Sequence, residues 1–176
     1  SGNTGSLTNG MAVVVARTQD NIHIDTVTWD GGSMTKVISN QGGIEGDISV
    51  FMMAAPPTGV KTVAVTTTAG AKGINAIMFT LGGASQTLNE DAFVFNEDVS
   101  GVGNASESVT SIADNCFAFL LVDSNTAYSA STNTTIIASG VVAEGNKRDS
   151  LGRSSAAITP AGSYNMQMTR DGGGTG

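Results

Sequence analysis

The sequence has little of what most site chemistries use. Its 176 residues include one histidine, one cysteine and one tryptophan, with two tyrosines and three prolines. The lone Cys116 cannot form an internal disulfide. Its setting, NCFAFLLVD, reads as a buried small apolar side chain, with an intermolecular bridge as the alternative. One histidine and one cysteine cannot build a zinc site of imidazole and thiolate ligands. Any Ser-His-Asp or Cys-His device would have to use His23. Ile22 and Ile24 place His23 on the solvated face of an alternating strand, and no G-x-S-x-G elbow accompanies it. No reaction is indicated, and the chain is read as a non-enzyme.

Charge is also scarce. Only 13% of residues are charged, and the formal net charge is −7. That sign lacks the basic footprint a nucleic-acid backbone requires and disfavours anionic membrane surfaces. No run reaches the roughly 18 apolar residues of a membrane-spanning helix, so no membrane insertion is expected. Amphipathic helical periodicity is nearly absent. The chain opens on Ser1 without a charged, apolar leader, which reads as a processed product or a piece of a longer chain.

Glycine (23 residues), serine, threonine and asparagine are abundant, and 40% of the chain is hydrophobic. This composition suits short strands joined by many turns. Met11–Arg17 is a continuous apolar run, as in a strand buried on both faces. Ile22–Trp29 alternates, with a phase slip between Ile24 and Val27 that a bulge would produce. Asp30-Gly31-Gly32 then signals a hairpin turn into Met34–Ile38. Asp47–Ala55, Val60–Thr68, Ile74–Leu81, Phe93–Phe95, Ser106–Ile112, Cys116–Val122, Thr135–Ala143 and Ser163–Thr169 are further strands, the last with Tyr164, Met166 and Met168 inward. Asp123–Asn133 reads as a polar loop. Glu144–Gly162 reads as a long loop with one strand, Ser154–Ile158. The expected fold is all-β: a two-sheet antiparallel β-sandwich, jelly-roll-like, in a single domain over 1–176.

Few residues are candidates for binding. Trp29 and Tyr128 lie near expected turns and are the weak ligand-binding candidates. Packing within the hairpin is the preferred role for Trp29, because a large aromatic beside a tight turn stabilises a cross-strand pair. The stretch NEDAFVFNED repeats Asn-Glu-Asp, so Glu90, Asp91, Glu97 and Asp98 are the metal candidates, with surface calcium as the ion their oxygens suit. A strand over Ala92–Asn96 would hold the two triplets roughly 20 Å apart, too far to share one ion. Solvated loop ends are the simpler explanation, and no cofactor is expected.

The order of several segments resembles a β-sandwich domain of bacteriophage virion proteins (tail, fibre and decoration) and bacterial surface proteins. The segments are MAVVVARTQD, IDTVTWDGGSMTKV, DISVFMMAAPPTGVKTVAVTTT, AIMFTLGGASQT and, later, GSYNMQMTRDGGGTG. The resemblance spans most of the chain and rests on turn and core residues, so it concerns fold and not a site. It implies a structural module on a virion surface or outside the cell. Its partners would be other virion proteins or copies of itself. The alternative is an adhesion module for a cell-surface glycan. Such domains usually carry one strand before SGNTGSLTNG and a final one after DGGGTG. Their absence here implies a fragment, or a strand supplied by a neighbour.

Overall fold

A computed structural model describes residues 2–3, 8–18, 22–41, 47–70, 73–87, 103–124, 126–142 and 148–171. Among them there is no helix, and fifteen strands pair antiparallel throughout. Contacts divide the chain into two compact units, Ser1–Asp91 and Ala92–Gly176, each with its own sandwich-like core.

In the first unit, β2 (Met11–Thr18), β5 (Thr35–Gln41), β6 (Asp47–Ala54) and β9 (Ile74–Leu81) form a sheet in the order β5-β6-β2-β9. A second sheet has the order β4-β3-β8, from β3 (Ile24–Trp29), β4 (Gly32–Ser33) and β8 (Val63–Thr67). The short β1 (Gly2–Asn3) pairs with β7 (Val60–Lys61). The core lies between the two larger sheets. Ala12, Val14, Ala16 and Phe51 come from one, Ile24, Val27 and Trp29 from the other, and Met34 from the crossing chain. As its apolar run implied, β2 is buried along its whole length on both faces.

The phase slip in β3 is a bulge. Ile24 pairs with Thr67 and Thr26 with Thr66, leaving Asp25 as the extra residue. Strict alternation would have sent Val27 and Trp29 to the face opposite Ile24. The insertion returns all three to the core. The hairpin follows at once. Trp29 pairs with Gly32, and Asp30 (φ 53°) and Gly31 (φ 80°) are the two turn residues. Positive φ at both is the type I′ pattern, which favours Asp-Gly. The return strand is only two residues long. At Met34, whose N–H donates to the Val27 carbonyl at 2.9 Å, the chain leaves this sheet and enters the other as β5.

In the second unit, β10 (Ala105–Thr110), β15 (Ser163–Arg170) and β12 (Tyr128–Ala130) form one sheet in that order. β11 (Phe119–Ser124), β14 (Arg148–Ser154) and β13 (Thr134–Val142) form the other. Ala118, Leu120, Tyr128, Ile158, Met166 and Met168 make its core. Met166 and Met168 point inward as their alternation predicts.

Three regions differ from expectation. The strand expected over Cys116–Val122 begins only at Phe119, and Cys116 is half-buried in the loop before it. The polar loop over Asp123–Asn133 contains β12. The long loop over Glu144–Gly162 contains β14, the middle strand of its sheet, while Ser154–Ile158 is not the strand. β14 reads RDSLGRS and has one large apolar residue, Leu151. It is nevertheless buried from Asp149 to Gly152 and again at Ser154. Small residues fill it because neighbours come close. A Cβ on Gly152 would lie 2.5 Å from Thr134 Cγ2 and 3.2 Å from Met168 Sδ. With Ser150, Gly152 and Ser154 on one face and a single large apolar residue on the other, the strand carries no hydrophobic alternation to read. The expected strand Phe93–Phe95 lies outside the described residues.

Candidate contact surfaces

Neither aromatic candidate presents its ring to solvent. Trp29 is 1% exposed in the first unit's core, and its indole N–H has no hydrogen-bond partner among the described residues. Tyr128 is 4% exposed in the second unit's core. Its hydroxyl donates to the Gly103 carbonyl at 3.2 Å, and its N–H donates to Ser150 Oγ at 3.2 Å. The metal candidates Glu90, Asp91, Glu97 and Asp98 lie outside the described residues. Among those described, no three His, Cys, Asp or Glu side chains stand together to hold an ion. His23 is half-buried just before β3. Its carbonyl accepts from Thr68 N–H at 2.9 Å, and its N–H reaches Thr68 Oγ1 at 3.3 Å. Its Nδ1 is buried with no partner among the described residues.

The most elaborate polar cluster of the first unit centres on Asp47, which is fully buried. Asp47 Oδ2 accepts from Ile24 N–H at 2.9 Å. Oδ1 accepts from Ser39 Oγ at 3.0 Å and Ser49 Oγ at 2.9 Å. Asp47 N–H donates to Thr18 Oγ1 at 3.2 Å. The carboxylate thereby ties the bulge end of β3 to β5 and β6, and the Asp47 N–H adds the link to β2. Beside it, Lys36 Nζ donates to the Ile24 carbonyl and lies 5.4 Å from the Phe51 ring centroid. These groups are engaged with one another, which makes the cluster a clamp on the strand ends.

Large apolar side chains are exposed at Val60, Ile74 and Ile137, and two more, Ile112 and Phe117, share one loop of the second unit, 111–118, which is tied to a second loop, 155–162. Asn115 N–H donates to the Ile158 carbonyl at 2.9 Å, and Ile158 N–H to the Cys116 carbonyl at 2.8 Å. Ala161 N–H donates to Asp114 Oδ1 at 2.7 Å, and Ser111 N–H to the Gly162 carbonyl at 2.9 Å. Thr159 Oγ1 bridges to Asn115 Oδ1 at 3.2 Å. The two loops thus brace each other through paired backbone and side-chain groups. On the platform they form stand two apolar side chains, Ile112 at 79% and Phe117 at 47% exposure. The Arg153 guanidinium lies 5.3 Å from the Phe117 ring centroid, while its Nη1 donates to the Ser154 carbonyl at 2.9 Å. Aromatic and arginine side chains of this kind are enriched at the centres of protein interfaces.

The platform was not among the sequence candidates. Its only local signals are the turn-forming Asp114-Asn115 and the proline after Thr159, which do not reveal that the two loops meet. Comparison with protein-family models, curated proteins and solved structures finds no match to this chain.

Proposed function

We propose that this protein is a non-enzymatic structural module of a virus particle, a head decoration, fibre or tail-associated protein, acting through assembly contacts and surface presentation. The observation that carries this reading is the braced loop platform, which holds Ile112 and Phe117 in solvent where they contribute little to the fold. Contiguous exposed apolar surface marks contact sites, and Ile112 and Phe117 stand five residues apart on one braced loop. The order of the turn and strand motifs, which resembles that of phage virion domains, supports the same setting. Burial of Trp29 and Tyr128 removes the stacking surfaces that a glycan-binding module would have used, so the alternative role in adhesion draws no support from them.

Mass spectrometry of purified particles from the source culture tests the proposal. The chain should appear in the particle fraction at a fixed ratio to the other virion proteins and remain after stringent washing. Recovery only as a free monomer that binds an immobilised sugar would overturn it.

A further inference from the structure

We infer that Asn9-Gly10 is a site of spontaneous covalent modification, where the asparagine passes through a cyclic imide to aspartate or isoaspartate, and that the Gln86 amide sets the rate. The inference does not rest on the proposed assembly role. Asn9-Gly10 is the one Asn-Gly step in the sequence. Asn9 is exposed, with φ at 48°. A following glycine leaves the attacking backbone nitrogen unshielded by any side chain, and its backbone turns with little steric resistance.

The reaction needs only water as co-reactant. The Gly10 nitrogen bonds to Asn9 Cγ, the Cγ–Nδ2 bond breaks, and ammonia leaves with the proton of the Gly10 amide. Water then opens the imide at one of its two carbonyls. Opening at Cγ gives aspartate. Opening at the main-chain carbonyl gives isoaspartate, in which the chain runs on through Cβ and Cγ. Either product adds one negative charge.

The fold restrains the first step. The imide closes only when the Asn9 Cα–C bond turns and brings the Gly10 nitrogen to Cγ, and the carbonyls around that bond are held. Residues 8–10 lead into β2, between the ends of β6 and β9. Gly83 N–H donates to the Thr8 carbonyl at 2.9 Å, Ala84 N–H to the Asn9 carbonyl at 3.0 Å, and Ala55 N–H to the Gly10 carbonyl at 2.9 Å. Gln86 staples these segments together. Its Oε1 accepts from Ala55 N–H at 3.0 Å, and its Nε2 donates to the Gly10 carbonyl at 3.3 Å and the Ala84 carbonyl at 3.0 Å. Ala55 is held at φ 47°, a left-handed conformation that its Cβ disfavours. Releasing the amide therefore also relieves strain. Modification waits on local opening of this sheet end, and Gln86 opposes that opening. Isoaspartate turns the Asn9 carbonyl into a carboxylate off the main chain, so the link to Ala84 cannot re-form in register.

Peptide mapping by mass spectrometry during warm incubation at mildly alkaline pH follows the exchange of amide for acid at each asparagine. In the folded wild type Asn9 should convert before any other asparagine, and several-fold more slowly than in the urea-unfolded chain. Gln86→Ala should speed the folded protein's conversion several-fold, with circular dichroism verifying the fold. Gln86→Glu keeps the acceptor for Ala55 but loses both amide donations, and should speed it too; it decides the matter if the alanine variant does not fold. Protein carrying isoaspartate should melt below unmodified protein. The inference is overturned if Asn9 stays intact in the folded wild type, or if another asparagine converts first. Equal rates in folded and unfolded chains, or a folded Gln86 variant no faster than wild type, would remove the role of Gln86.

Discussion

Adding a single methyl group at Gly152 tests how the second unit is packed. Gly152 sits in the middle strand β14, paired with Leu120 on one side and Ile136 on the other. The alanine Cβ would fall 2.5 Å from Thr134 Cγ2, where carbon atoms rest at about 3.5–4.0 Å. Thr134 cannot simply step aside. It is 5% exposed, its χ1 is restricted by β-branching, and its Oγ1 accepts from Gln167 N–H at 3.1 Å. Overpacking of this kind costs about 1–3 kcal/mol, and a lost hydrogen bond adds about 1 kcal/mol. Gly152→Ala should therefore destabilise by roughly 2–4 kcal/mol and lower Tm by about 5–15 °C for a chain of this size. Thr134→Ser removes the clashing carbon and keeps the hydroxyl, so the double variant should recover most of the loss. Gly70→Ala is the control, since a Cβ there meets nothing within 4 Å. Thermal unfolding followed by circular dichroism measures all four proteins. A Gly152→Ala protein that melts within about 1 °C of wild type, or a double variant no better than Gly152→Ala, would refute the packing argument.

Other perturbations probe the remaining contacts. Asp47→Ala strands the Ile24 N–H and the Ser39 and Ser49 hydroxyls in a buried site and should cost about 2–4 kcal/mol in urea unfolding. Asp47→Asn should recover most of this, because its oxygen can accept from the Ile24 N–H while its amide donates to the serine hydroxyls, which accept as well as donate; a loss as large as that of Asp47→Ala would show that the site needs the carboxylate itself. Trp29, as the only tryptophan, makes fluorescence a local probe. Its emission should resist acrylamide quenching until the fold is lost, and Trp29→Ala should cost about 3–5 kcal/mol. Trp29→Phe should cost clearly less, because the indole N–H has no partner to lose among the described residues; equal losses would refute that. Ile112→Ser should leave stability within about 0.5 kcal/mol while reducing retention on particles. A marked drop in Tm would show that Ile112 belongs to the core.

The strands with strong local signals were legible in the sequence. Asp-Gly between strand-formers names its own turn, and the slip from Ile24 to Val27 betrays a bulge because three apolar residues must share one face. Tyr164, Met166 and Met168 alternate cleanly, as does their burial. β14 was illegible because close neighbours select small residues there, and polar small residues look like loop. β12 is only three residues long, too short for any period. The loop platform depends on hydrogen bonds between segments 44 and 47 residues apart. Nothing in either segment alone announces its partner.

The claim that this chain works through assembly contacts is tested most directly by imaging a particle that contains it. A cryo-EM reconstruction should show the chain at regular positions on the particle, with Ile112 and Phe117 seated against a neighbouring protein. A reconstruction in which the chain is absent, or in which the platform faces open solvent on every copy, would contradict it.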